Sequence, residues 1–205
     1  MRRIKKEELE KLSTFFVEQY AENEFEVLFR GIDSAKIKNY MAKNFYCELE
    51  KYHEHGDIFV YDDNLTAALV GMKNKDRTFI GKIPTIIKAL KIKSDFSKEE
   101  AKQFKENALI MNSVANLGWY KKYCSKAHSY YLGQFAIAKE FRGKGICREM
   151  LENLLNSISE SMIVLETHNS KTVSIYEHFG FQLVETKESK DKSIKEYRLI
   201  KGVER

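Results

Sequence analysis

The sequence predicts an α/β (α+β) fold in which helices flank a mixed sheet, and three observations carry that prediction. Apolar residues recur at three- and four-residue steps through the first third of the chain. Two short apolar runs then flank an Asp-Asp-Asn cluster. From Tyr130 the pattern becomes strand, glycine loop, helix, strand, helix, strand, strand. With 205 residues, 43% of them hydrophobic, the chain suffices for one domain, 1–205, with a sizeable core.

The elements follow in order. Leu9, Leu12, Phe16 and Tyr20 mark one helix face. Ile37, Met41, Phe45, Leu49 and Tyr52 mark a second, which starts after Asp33-Ser34 and stops at Gly56. Aromatics on these stripes are expected in the core, with only a minority able to touch a substrate. Ile58–Tyr61 and Leu65–Met72 read as a hairpin whose turn is Asp62-Asp63-Asn64. Residues 74–128 read as a helical insertion between strands. Within it, Ile83–Ile92 is apolar with interspersed lysines, and Ser97-x-x-Glu100 forms a capping box that opens a helix through about Leu117. A lid, a partner surface and simple core packing are all open for this insertion. Tyr130–Ala138 reads as a strand and Arg142–Cys147 as a loop. A helix with the face Met150, Leu151, Leu154, Leu155 and Ile158 comes next, and then the strand Met162–Thr167. A short helix at Lys171–Phe179 precedes the strands Phe181–Thr186 and Tyr197–Ile200, which the charged turn Lys187–Ser193 separates. Strand–helix–strand of this length implies a parallel pair with a crossover helix.

Composition excludes several classes of function. The charged fraction is 32% and the mean hydropathy -0.49. The longest apolar runs, such as Met162–Leu165, fall far short of the ~20 residues that cross a bilayer, so no membrane partner is expected. The start, MRRIKKEELEKL, is basic but has no apolar stretch behind it, which points to the cytoplasm. Cys47, Cys124 and Cys147 lie far apart, against a disulfide framework or a structural zinc site. The five histidines (His53, His55, His128, His168 and His178) show no metal-ligand spacing. His53-x-His55, beside Gly56, reads as imidazoles near the last carbonyls of a helix. No metal is expected. The net charge of +5 is scattered, although Lys88, Lys91 and Lys93 concentrate it locally. With no recognition helix or aromatic–basic platform, a nucleic-acid partner is not expected.

Two strings carry chemistry. The first, Phe141-Arg142-Gly143-Lys144-Gly145-Ile146-Cys147-Arg148, follows a strand and opens a helix. Its glycines permit positive φ and remove the Cβ atoms that would hold a ligand off the backbone. Successive amides can then face one concavity at the positive end of a helix dipole, and three basic side chains add charge, so the loop suits phosphate. It is neither Gly-x-x-x-x-Gly-Lys-Ser/Thr nor Gly-x-Gly-x-x-Gly. The second string, Asn169 to Phe181, follows the next strand and places an Asn before a short helix that bears Tyr176 and ends in Gly180-Phe181.

Together these strings resemble the GNAT superfamily of N-acetyltransferases. The family's nucleotide loop, Gln/Arg-x-x-Gly-x-Gly/Ala, is matched at Arg142–Cys147, and its later Asn–Tyr–Gly-Phe segment at Asn169, Tyr176, Gly180 and Phe181. The match spans roughly residues 130–186. Cys147 departs from the loop's last small residue, and Lys139 stands where many relatives have proline. The resemblance implies a mixed, mostly antiparallel sheet with a central, parallel, splayed strand pair, helices on its flanks and a helical insertion. It also implies acetyl-CoA as co-substrate, with pyrophosphate on the amides of Arg142, Gly143, Lys144, Gly145, Ile146 and Cys147, beside Arg148. The pantetheine arm would lie along Phe135, Ala136, Ile137 and Ala138 and bond Asn169. Tyr176 would be the acid for the departing thiolate. Attack needs a neutral amine, and the candidate base is Glu166, late in its strand; Gln134 and Tyr131 compete as residues that orient a water, and His168 and His128 are weaker candidates. The acceptor would be a small-molecule or peptide amine. A non-catalytic CoA-binding module, regulatory or structural, is the alternative. Oligomeric state, a homodimer included, is open.

Overall fold

Among the described residues, seven strands form one sheet in the order β1-β2-β3-β4-β5-β7-β6. They are β1 (Arg2–Arg3), β2 (Asp57–Val60), β3 (Ala67–Lys73), β4 (Ser129–Ile137), β5 (Met162–Thr167), β6 (Gln182–Glu188) and β7 (Lys195–Gly202). The computed structural model describes residues 1–20, 29–77, 96–158 and 162–202. Every neighbouring pair of strands is antiparallel except β4 and β5, as the resemblance implied. The described helices are α1 (Leu9–Tyr20), α2 (Ser34–His55), α3 (Lys98–Val114), α4 (Ile146–Ser157) and α5 (Ser170–His178). None is long and apolar enough to cross a membrane.

Local chemistry sets the helix ends. The Asp33 carboxylate accepts the amides of Ala35 and Lys36 and starts α2. At α3 both bonds of the capping box form: Ser97 Oγ accepts from Glu100 N, and Glu100 Oε2 accepts from Ser97 N. α3 ends three residues before the expected Leu117, because Asn116 Oδ1 accepts from Gly118 N at 2.9 Å and turns the chain into a short 3-10 segment, Trp119–Lys122. The Ile83–Ile92 run lies outside the described residues. β1 has no counterpart in the sequence reading. Two arginines carry no strand pattern, and this edge forms because Arg2 pairs opposite Val60 while its guanidinium holds Glu8 at 2.6 Å and Asp63 at 2.7 Å.

Alternation along the central strands builds two cores. Ala68, Val70 and Met72 of β3 pack beneath α1 and α2, with Phe16, Phe45, Leu49 and Tyr52. Ala67 and Leu69 point the other way and join Met150, Leu151 and Leu154 of α4 with Ile163, Leu165 and Leu199. β3 is buried along nearly its whole length, as a run covered on both faces should be. A third, smaller cluster seats Trp119 and Tyr120 against Val164 of β5. Two strands, β5 and β7, thus take their outer cover from the insertion and not from α1 or α2.

A buried ionic group ties that cover down. Arg198 of β7 donates to Glu196 at 2.7 Å, to Glu185 at 3.0 Å and to the Val114 carbonyl at 2.7 Å, where α3 ends. Burial alone would raise the Glu185 carboxyl, but Lys122, Arg198 and Lys187 hold it at about 2, below the ordinary 4.5. Its contribution to stability is therefore complete above its unfolded value and is lost as pH falls toward 2. Replacing Arg198 strands the Glu196 carboxylate and the Val114 carbonyl and takes one of three cations from Glu185. Arg198→Met should lower unfolding stability by about 3–5 kcal/mol in urea at neutral pH, and Glu185→Gln should flatten the acid limb of the stability–pH curve; an unaltered acid limb would show that this carboxylate is not held by its neighbours.

Candidate active site

β4 and β5 pair at Ser129–Met162, Tyr130–Ile163 and Tyr131–Val164, and then both strands run on without pairing to each other. A bulge helps to turn β4 at that point. The β3–β4 register passes from Val70–Gln134 to Gly71–Leu132, leaving Gly133 without an opposite residue. Glycine is required there by space, since a Cβ would lie 2.9 Å from the Tyr52 hydroxyl and 3.3 Å from the Tyr131 ring.

Two cavities open from the parted strands. The outer one is a groove of about 840 Å³. Phe135, Ala136 and Ile137 of β4 form one wall, the loop into α4 another, and Asn169 and Tyr176 at α5 a third. The inner one is a chamber of about 340 Å³ walled by Gly133 and Gln134 of β4, Glu166 and Thr167 of β5, and aromatic residues of α1, α2 and α3. The two abut. The wall passes from chamber to groove between Gln134 and Phe135 on β4 and between His168 and Asn169 just past the end of β5, and Tyr20 lines both.

In the groove, the loop has the conformation its glycines allow. Gly143 has φ 76° and Gly145 φ 84°, the left-handed region that side chains avoid. Gly145 is the N-cap of α4, and no side-chain cap bonds the amides of the first turn. Among the described residues, a Cβ added at either glycine would meet nothing within 4 Å. The loop is thus open above its amides, at the positive end of α4.

Of the residues singled out in the sequence, Phe135, Ala136, Ile137, Arg142, Gly143, Gly145, Ile146, Cys147, Arg148, Asn169 and Tyr176 line the groove. Ala138 and Lys144 do not. Ala138 is buried with its amide on the Thr66 carbonyl at 2.9 Å, and the Lys144 ammonium lies 4.7 Å from the centre of the Phe141 ring. Arg142 is folded back, with Nε on the Ile137 carbonyl at 3.0 Å and Nη2 on Gln19 at 3.2 Å. Arg148 lies 3.2 Å from His178 and over the Phe179 ring. Asn169 caps α5 by accepting the Lys171 amide at 3.0 Å. Tyr176 is half-buried, edge-on to Phe181. Burial pushes the Cys147 thiol up to about 11. The Phe135 amide donates to the Tyr20 hydroxyl at 3.0 Å, and that hydroxyl donates in turn to the Phe135 carbonyl at 3.0 Å.

The chamber gathers the other candidates. Glu166 Oε1 accepts from Trp119 Nε1 at 2.7 Å and lies 3.6 Å from Arg77, whereas Glu166 Oε2 is buried without a hydrogen-bond partner. Gln134 Nε2 donates to Glu48 at 3.4 Å, and Gln134 Oε1 has no partner. Arg77 stacks 3.4 Å from the centre of the Tyr131 ring. Burial, reinforced by the Glu166 carboxylate, raises the Tyr131 hydroxyl well above its ordinary value and keeps it protonated. His168 Nε2 is 3.7 Å from Glu196, within ion-pair reach but too far to hydrogen-bond. Glu166, Gln134, Tyr131 and His168 are therefore brought together. His128 is exposed on a turn, Lys126–His128, and lines neither cavity.

Sequence reasoning missed Arg77, Trp119, Glu48 and the bonding role of Tyr20. These residues are far apart in the chain and belong to no string with a spacing to read. Tyr20 was visible only as one more aromatic on a core stripe.

Comparison with known proteins agrees with this geometry. The acetyltransferase (GNAT) domain family matches residues 99–183. No curated protein matches the chain. Among solved structures, the histone acetyltransferase HPA2 and related acetyltransferase from Corynebacterium glutamicum is similar in fold. Its TM-score is 0.63 at 17% identity, over 100% of this chain and 96% of that one. An N-acetyltransferase from Staphylococcus aureus has a TM-score of 0.57 at 16% identity, with 97% and 98% covered. A mosquito arylalkylamine N-acetyltransferase like 5b has 0.58 at 11% identity, with 98% of each chain covered.

The bulge glycine gives a test of the site's architecture. Gly133→Val should lower stability by about 1–3 kcal/mol through overpacking against Tyr52. Adding Tyr52→Phe, which removes the obstructing hydroxyl, should recover part of that loss in urea unfolding; equal losses with and without it would show that the crowding lies elsewhere.

Proposed function

We propose that this chain, a member of the GNAT superfamily of acetyltransferases, is an N-acetyltransferase that moves an acetyl group from acetyl-CoA to a primary amine by direct attack while both are bound. The observation that carries this proposal is the abutment of an anion-suited groove and a carboxylate-bearing chamber at the parted ends of β4 and β5. The acceptor would be a small molecule or a peptide, and the whole chain, 1–205, would act as one such domain.

Acetyl-CoA suits the groove on this chain's own terms. The open left-handed glycines and the uncapped first turn of α4 offer amides to a diphosphate, with Arg148 alongside. The main-chain groups of Phe135 already bond a hydroxyl, that of Tyr20, so they can serve a ligand's polar atoms in its place. Asn169, at the start of α5, would hold the pantetheine arm. When bound, acetyl-CoA supplies a thioester carbonyl to the amine and departs as a thiolate.

The chain's own groups then handle protons. An alkyl amine, with a pKa of ~10, is largely protonated at neutral pH and must lose a proton before it can attack. Glu166 would take it at Oε2, while Trp119 and Arg77 steady Oε1. Tyr176, on the groove wall, would donate its phenolic proton to the departing sulfur. Cys147 is kept protonated by burial, which favours direct transfer over an acyl-thiol intermediate on this residue.

Two variants test the assignment. Gly145→Glu places a carboxylate over the loop amides and should abolish acetyl-CoA binding in calorimetry; unchanged affinity would refute the loop's role. Tyr176→Phe should lower kcat by about 10²-fold while acetyl-CoA affinity is nearly kept, as followed by release of free thiol. Binding of acetyl-CoA by the unaltered protein with no amine-dependent thiol release would instead make the chain a non-catalytic CoA-binding module.

A further inference from the structure

We infer that Tyr20 is a built-in competitor of the coenzyme: its hydroxyl holds the edge of β4 along which an extended, amide-bearing arm would lie, and acetyl-CoA binds there only by displacing it. This role for Tyr20 rests on the coenzyme reading of the groove proposed above.

The strand geometry defines the edge. In a strand, the main-chain groups of successive residues point to opposite edges. The Ala138 amide donates to the Thr66 carbonyl at 2.9 Å, just beyond the Ala67–Ile137 pair, so positions 136 and 138 face β3. Phe135 and Ile137 therefore turn their main-chain groups to the opposite edge, toward β5, past the three pairs that join β4 to that strand. Side chains meet them there. The Phe135 amide donates to the Tyr20 hydroxyl at 3.0 Å, and the hydroxyl donates to the Phe135 carbonyl at 3.0 Å. Arg142 Nε donates to the Ile137 carbonyl at 3.0 Å, and its Nη2 donates to Gln19 at 3.2 Å. Gln19 and Tyr20 are the last two residues of α1. One helix end thus stoppers the edge at two successive positions.

The contact at Phe135 excludes a second partner. An amide carries one proton, so the Phe135 N–H cannot serve Tyr20 and a ligand carbonyl together. The Tyr20 ring is fixed as well, stacked 5.7 Å from Phe16 and 6.0 Å from Phe45. Whatever the two bonds contribute to the closed arrangement is subtracted from the binding of a ligand that replaces them. An arm with amides brings both a donor and an acceptor, and so can take over both bonds. The nucleotide half of the coenzyme, served by the loop amides, meets no part of this contact.

The test compares the full chain with Tyr20→Phe, which keeps the ring between Phe16 and Phe45 and is checked for folding by circular dichroism. Calorimetry should show acetyl-CoA binding about five- to tenfold tighter to the variant, the size expected for losing these competing bonds. Adenosine 3′,5′-bisphosphate, which has the phosphates but no arm, should bind both proteins alike. Without ligand, the Phe135 amide should exchange its hydrogen faster in the variant, whereas the Ala138 amide, bonded to Thr66, should keep its rate. Equal or weaker acetyl-CoA binding by the variant would overturn the inference, as would a tightening shared by the bisphosphate or an unchanged Phe135 exchange rate. Failure of both proteins to bind acetyl-CoA is a different result, and would overturn the coenzyme reading of the groove together with this role for Tyr20.

Discussion

The structure depends on β4 and β5 parting after Tyr131–Val164. Two parallel strands in the middle of a sheet ordinarily satisfy each other's main-chain groups along their length. Here they do so at only three registered positions, and other groups must meet the backbone beyond. The Tyr20 hydroxyl takes both polar groups of Phe135, and Arg142 takes the Ile137 carbonyl. The gap is therefore held open by side chains from α1 and from the loop before α4. Those side chains can give way to a ligand without disturbing the antiparallel ladders on either side.

Each half of the gap has its own chemistry because each is walled by different elements. The groove is made from local geometry: two left-handed glycines, the bare start of a helix and the cap of the next one. Its electrostatics come largely from backbone dipoles, which are fixed in direction and need no reorganisation when an anion arrives. The chamber is made from tertiary packing. Its carboxylates, its guanidinium and its indole come from α2, β5, β7 and the segment around the insertion, held in place by the Arg198 group beneath. Inside, where few waters screen charge, the bond from the Trp119 indole to Glu166 is stronger than the same bond would be in water.

The insertion belongs to that second half. α3 contributes Phe104, Ala108 and Met111 to the chamber wall, and Trp119 reaches Glu166 through a 2.7 Å bond. The segment that looked in sequence like an addition between strands is thus part of the site. It fixes the base candidate and limits the chamber's depth, so changes along α3 would alter what the chamber accepts without touching the groove.

The groove was legible in the sequence because it is local. Positive φ, an uncapped helix start and an Asn N-cap are properties of residues within a few positions of one another, so Arg142–Cys147 and Asn169–Tyr176 announce themselves in a linear string. Strand alternation and the Asp33 and Ser97 caps are equally short-range, which is why the hairpin, the crossover and the helix starts fall close to where periodicity puts them. What the sequence by itself determined is this fold and the character of the glycine loop before α4. Tertiary structure alone decided the rest: that Tyr20 would bond Phe135 across 115 positions, that Arg77 would stack on Tyr131, and that Ala138 and Lys144 would turn away from the groove. Such contacts depend on how far apart two strands stand and which helix covers them, and a chain records those distances only in the sum of its packing.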